Sequence, residues 1–145
     1  MDQDLLVMDW IDSGKRLIEA LAREGFEVGV AFWARLTEDG RWYLHVASRF
    51  VDDKGQRAAY RLLHDTLRKT ADIWIDPFDI RVIGMNDSLA EAALDLIKPK
   101  VPDSPFAVRN PRPYPGMTRF GGSSLGGISV EGAYIYPPLQ PVSPT

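Results

Sequence analysis

A chain of 145 residues, 45% apolar and 26% charged, has the size and make-up of one globular domain with a sizeable core. It has no cysteine, which excludes disulfides and thiolate metal sites, and its two histidines lack HxH or HExxH spacing, so no metal and no cofactor is expected. The net charge of −3 is uneven: residues 99–145 carry Lys100, Arg109, Arg112 and Arg119 against Asp103 and Glu131, a balance of +2 that leaves −5 for the rest; this basic excess is too small for non-specific nucleic-acid binding.

The N-terminus, MDQDLLVMDW, is acidic and lacks the basic region of a signal peptide. No apolar run approaches the ~18 residues of a membrane span. A cytoplasmic location is expected. Asp4 to Glu24 reads as the first helix, with Val7, Trp10, Ile11, Leu17, Ile18 and Leu21 at helical spacing. Gly14 lies within that stripe and suits a close approach by a neighbouring element; alternatively, Asp12-Ser13-Gly14 breaks the segment. Gly25 suits the position that ends the helix.

Phe26 to Val51 alternates with period 2 on both sides of Glu38-Asp39-Gly40, the signature of a β-hairpin. A two- or four-residue loop closing on Leu36 and Arg41 would set Phe32 opposite His45 and mix the faces. A three-residue loop with Gly40 in the left-handed region pairs Leu36 with Trp42, Ala34 with Leu44 and Phe32 with Val46, which keeps the large apolar residues on one side. The three-residue loop is therefore expected. It sets Trp33 opposite His45, Arg35 opposite Tyr43 and Gly29 opposite Arg49 on the second face. That face is either covered by the C-terminal segment, with its arginines at the rim, or is a binding platform, or is an oligomer contact.

Asp52-Asp53-Lys54-Gly55 closes the second strand and caps a helix to about Thr70, with Ala59, Leu62, Leu63 and Leu67 inward and Tyr60 at the edge. Residues 78–84 read as a third strand, which places Asp79 and Arg81 on the second face if it pairs in the same sheet. Asn86-Asp87-Ser88 starts a third helix, with a capping box from Ser88 to Glu91 and a stripe of Leu89, Ala93, Leu96 and Ile97; Lys98-Pro99 ends it. Ten of the eleven prolines lie from Pro99 onward, and residues 101–115 read as an extended arm. Residues 118–120 are a short strand candidate, residues 121–127 a glycine-rich loop, and residues 128–136 a second hairpin turning at Glu131-Gly132.

The expected fold is α+β: an antiparallel sheet with helices on one face, in the order α-β-β-α-β-α, followed by the proline-rich arm and the C-terminal β-hairpin. Residues 1–98 form the core domain; residues 99–145 form an arm and hairpin that pack on the core or on a partner. The functional class follows by elimination. There is no GxSxG elbow, no P-loop lysine and no nucleophile ordered against a base. A non-catalytic protein-binding or assembly module is expected, engaging a protein partner or a second copy through the C-terminal segment. The alternative is an RNA-binding protein or a metal-independent ribonuclease. It would use Trp33, Arg35, Tyr43, His45, Arg49 and Arg81: histidine to move a proton, arginines to hold phosphate, aromatic rings to stack on bases. The net negative charge disfavours it. Arg119, Ser123 and Ser124 beside the glycine loop are candidates for holding an anion.

Overall fold

The computed structural model describes residues 8–70, 73, 75–97, 118–121 and 123–137. Helix α1 spans Met8–Arg23 and buries Ile11, Leu17, Ile18 and Leu21. It ends in a Schellman motif: Phe26 N–H donates to Leu21 O (2.9 Å) and Gly25 N–H to Ala22 O (3.2 Å), with Gly25 at positive φ. No helix among the described residues is long and apolar enough to cross a membrane.

Strands β1 (Val30–Leu36) and β2 (Trp42–Ala47) form the expected antiparallel hairpin, in a register one residue from the expected one. Phe32 pairs with His45, Trp33 with Leu44 and Ala34 with Tyr43. The loop has four residues, closed by Leu36 N–H to Arg41 O (3.1 Å) and Gly40 N–H to Leu36 O (2.8 Å). Gly40 does take the left-handed conformation, at φ 67. The three-residue loop is expected because it keeps the large apolar residues on one side, and the structure divides them between two faces. Both faces are covered, so every residue of β2 is buried and mixing the two apolar phases costs nothing.

Ser48 caps a six-residue helix, α2 (Arg49–Lys54), its Oγ accepting from Phe50 N–H at 3.0 Å. Residues 49–51 are therefore helical and not the end of a strand. Helix α3 (Gln56–Lys69) buries Ala59, Leu63 and Thr66. A 3-10 turn at Pro77–Asp79 leads into β3 (Ile80–Ile83), which pairs with β2 in parallel, so the sheet is mixed. Parallel neighbours need a connection of a dozen or more residues, which residues 48–79 supply with two helices. β3 is an edge strand whose outward N–H groups are occupied: Val82 N–H donates to the Tyr60 hydroxyl (3.1 Å) and Ile80 N–H to Pro77 O. That blunts the edge against strand addition.

Helix α4 (Ser88–Ile97) is capped by Asp87, whose Oδ1 accepts from Leu89 N–H at 2.9 Å, and not by a Ser88 box. It lies on the sheet face opposite α1 and α3. Helices therefore lie on both faces, where helices on one face are expected. One cluster joins α1 and α3 to Ala31, Trp33, Trp42, Leu44, Val46, Ile80 and Val82. The other joins α4 to Val30, Phe32, Ala34, Tyr43 and the C-terminal strands.

Strands β4 (Thr118–Phe120), β5 (Ser124–Leu125) and β6 (Ile128–Ile135) complete the sheet in the order β3-β2-β1-β6-β4, with β5 on the other half of β6. The hairpin turn lies at Gly126-Gly127, both at positive φ as a two-residue type I′ connection requires. Glu131-Gly132 is not a turn. β6 runs through it as one strand, with a bulge that shifts its register on β1 between Ala34 and Leu36. The expected proline-rich arm, residues 101–115, lies outside the described residues.

Candidate functional site

The structure does not bring the six residues of the expected platform onto one open face. Trp33 and Arg35 project to the α1/α3 side; Tyr43, His45 and Arg81 project to the α4 side. Trp33 is buried. Arg35 is half-buried, its Nε donating to Gly40 O (3.0 Å) and lying 3.6 Å from Glu131 Oε1. Arg49 sits exposed on α2. Tyr43 donates its hydroxyl hydrogen to Asp39 Oδ2 (2.5 Å), and the Arg81 guanidinium lies 4.2 Å from its ring centre. That hydrogen bond holds the Asp39 carboxyl below its ordinary range and raises the Tyr43 phenol.

His45 is 1% exposed and stacks on Phe32 with 4.9 Å between ring centres. Its Nδ1 lies 3.0 Å from Tyr43 O, which selects the neutral tautomer with the proton on Nδ1. Burial pushes its pKa down to about 4; the Tyr43 carbonyl works against that shift, and the Arg81 charge adds to it. This imidazole packs as a core group. Arg119 lies in β4 opposite Tyr134. Ser123 and Ser124 are exposed, and the glycine turn packs on the start of α4, where a Cβ at Gly126 would collide with Ser88 O. Among the described residues, no group of three His, Asp or Glu is placed to hold a metal ion.

Two concave sites among the described residues stand out. A groove of about 590 Å³ runs along β3 between Gln56, Tyr60, His64 and Phe78. It is the larger, but the outward N–H groups of its strand are already occupied and no buried polar atom in it lacks a partner. The smaller, about 200 Å³, is lined by Trp10 of α1, Trp33 of β1, Trp42 of β2, and Ile75, Asp76 and Asp79 around the 3-10 turn. Its chemistry is the less ordinary, and it is the candidate site.

Each wall is positioned by the fold. Trp33 Nε1–H donates to the Tyr136 hydroxyl (2.9 Å), which in turn donates to Ile11 O (2.7 Å), and Gly14 leaves the space this needs, since a Cβ there would collide with Tyr136 Oη. Tyr136 thus ties α1 to the sheet. Tyr136→Phe strands the buried indole donor of Trp33. We expect a loss of about 1–3 kcal/mol, read as a lower urea midpoint at unchanged slope. Trp10 lies 6.1 Å from Trp33 between ring centres and is 40% exposed at the mouth. Trp42 is 9% exposed, packs on Tyr134 at 5.6 Å, and its Nε1–H has no acceptor among the described residues.

The acidic wall is only partly balanced, by Arg41 at Asp79. Asp76 Oδ1 accepts from Phe78 N–H (2.9 Å) and Asp79 Oδ1 from Arg41 Nη2 (2.8 Å). Partial burial nevertheless raises the Asp79 pKa; Arg41 opposes that shift and the Asp76 charge adds to it. Indole walls beside carboxylates favour a cationic group, through the ring quadrupoles and direct charge attraction. From sequence, Asp79 is expected beside Arg81 on the second face, while Trp10, Trp42 and Asp76 are not marked as site residues. The available signal was four tryptophans in the first 74 residues, each a large ring whose N–H needs a partner when buried. Comparison with known proteins finds no matching family model, no matching curated protein and no matching solved structure, so the chemistry of the site has to be read from its own residues.

Proposed function

We propose that this protein is a non-catalytic binding module whose tryptophan pocket takes an organic cation. The observation that carries the reading is the convergence of Trp10, Trp33 and Trp42 on Asp76 and Asp79 in one small cavity. Cation–π attraction is worth about 0.5–2 kcal/mol per contact, and three indoles with two carboxylates bring a small cation to a dissociation constant on the order of 1 mM. The absence of an accessible nucleophile–base pair around His45 supports binding without chemistry.

Tryptophan fluorescence titrated with tetramethylammonium chloride tests this, with sodium chloride and tert-butanol as controls. We expect saturable quenching by tetramethylammonium alone, weakened about threefold to tenfold in Asp76→Asn and Asp79→Asn. Equal quenching by tert-butanol, or unchanged affinity in both variants, would sink the proposal.

A further inference from the structure

The larger groove, along β3, carries an apolar group that the fold does not account for. Phe78 lines it and is 88% exposed. The 3-10 turn that holds Phe78 is set by Pro77 and by Asp76, whose carboxylate accepts from the Phe78 main-chain N–H. The turn does not need a phenyl ring, and the ring belongs to neither core cluster. An exposed ring beside a concave surface is what a docking site offers an apolar side chain.

The rim of this groove is basic. Gln56, Tyr60 and His64 form its α3 wall. Arg57 and Arg61, next to them on the helix, are exposed and make no ion pair among the described residues. Asp65, four residues from Arg61, is engaged by Arg68 instead. Because Ile80 N–H and Val82 N–H are already occupied, an occupant cannot be held as an added strand. It has to be held by side chains: apolar groups at Phe78 and carboxylates at the arginines.

The chain carries such a segment close by. Residues 1–7 read MDQDLLV, with two carboxylates, then three aliphatic side chains, and no cationic side chain. They join α1 at Met8. Trp10, within the first turn of α1, shares the tryptophan pocket with Asp76 and Asp79, the residues that flank Pro77 and Phe78 in sequence. Residues 1–7 therefore enter beside the Phe78 end of the groove. Extended, they reach about 23 Å, against about 13 Å for the length of β3.

We propose that residues 1–7 of this chain are the occupant of the groove. Leu5, Leu6 and Val7 pack on Phe78, Asp2 and Asp4 pair with Arg57 and Arg61, and the segment ties the start of α1 to the β3 edge.

The test uses the full chain. It has no cysteine, so a nitroxide attached to Gln3→Cys is a unique reporter. In nitrogen-15 NMR it is expected to broaden the amides of Tyr60, His64 and Phe78 and to spare α4 on the opposite sheet face. Phe78→Ser, a change at an exposed position, should remove most of the broadening. Arg57→Glu with Arg61→Glu should lower the docked-to-free ratio about threefold to tenfold, and adding Asp2→Lys and Asp4→Lys should restore it. In the unlabelled protein, Leu5 and Leu6 amides should show positive heteronuclear NOEs that Phe78→Ser abolishes, which keeps the test valid if the label itself prevents docking.

Broadening and NOEs that respond to neither Phe78→Ser nor the arginine pair overturn the proposal, since a segment that only passes the groove is indifferent to both. Negative NOEs at Leu5 and Leu6 in the parent protein overturn it as well. Broadening that appears only when spin-labelled chain is mixed with nitrogen-15 chain lacking the label overturns the occupant named here and puts residues 1–7 in the groove of a second copy.

Discussion

Ending the chain after Lys98 is expected to leave no folded protein. The truncation removes β6, the strand on the far side of β1 from β2, and with it Leu125, Val130, Ile135 and Tyr136, all buried. At roughly 1.5–3 kcal/mol each, these four account for about 6–12 kcal/mol, against a total stability of about 5–15 kcal/mol for a typical domain. The loss also uncovers Phe32 and Ala34 and opens the edge of β1, the central strand. Circular dichroism should show no cooperative thermal transition in residues 1–98. A two-state transition in the truncated chain would show that β6 is dispensable for the fold. The same experiment bears on any role for residues 99–145 in engaging a partner: a segment that supplies an interior strand cannot be removed to test binding, so such tests have to use point substitutions.

The second large effect is a pH dependence centred on His45. Its pKa is about 4 in the folded protein, against 6.5 for the free side chain. Between those values the unfolded chain binds more protons than the native one, so stability falls as pH falls. The full contribution is present above pH 6.5 and is lost progressively down to pH 4. At about 1.4 kcal/mol per unit the loss is about 3 kcal/mol. Urea unfolding at pH 7 and pH 4 should show it. His45→Asn is the informative control, because its side-chain amide keeps a donor near Nδ1 for Tyr43 O without a titrating group. Carboxylates titrate in both proteins, so the difference between their pH slopes isolates the histidine. Parallel slopes in parent and variant would mean that the imidazole is not held neutral in the core.

The same histidine illustrates where sequence reading succeeded and failed. The hairpin, its position and the left-handed Gly40 were legible, because alternation and turn chemistry are local. The register was not. Both phases of β1 and β2 are apolar enough to be buried, and choosing between them required knowing that α4 covers the second face. His45 thus moved from a supposed open platform to a stack against Phe32. The missed helix α2 has a similar cause: Phe50 and Val51 favour strands in isolation, but Ser48 caps a helix turn that buries Val51 and sets Phe50 5.3 Å from Phe26. In β6, Glu131-Gly132 has the composition of a turn, yet main-chain pairing with β1 carries the strand through it as a bulge, and the turn falls at Gly126-Gly127.

Local spacing was sufficient for much of the buried stripes of α1, α3 and α4, though not for the exposed Trp10 or the buried Thr66 and Ala90, and for Gly25 as a helix stop and the close approach at Gly14, since each is set by residues within a few positions of one another or by the absence of a side chain. The parallel seating of β3, the insertion of β6 beside β1 and the helices on both faces are properties of long-range pairing, which no periodicity encodes. The pocket belongs wholly to that second class. Trp10, Trp33, Trp42, Asp76 and Asp79 come from a helix, two strands and the segment around a 3-10 turn, and they meet only because the register turns Trp33 and Trp42 toward α1.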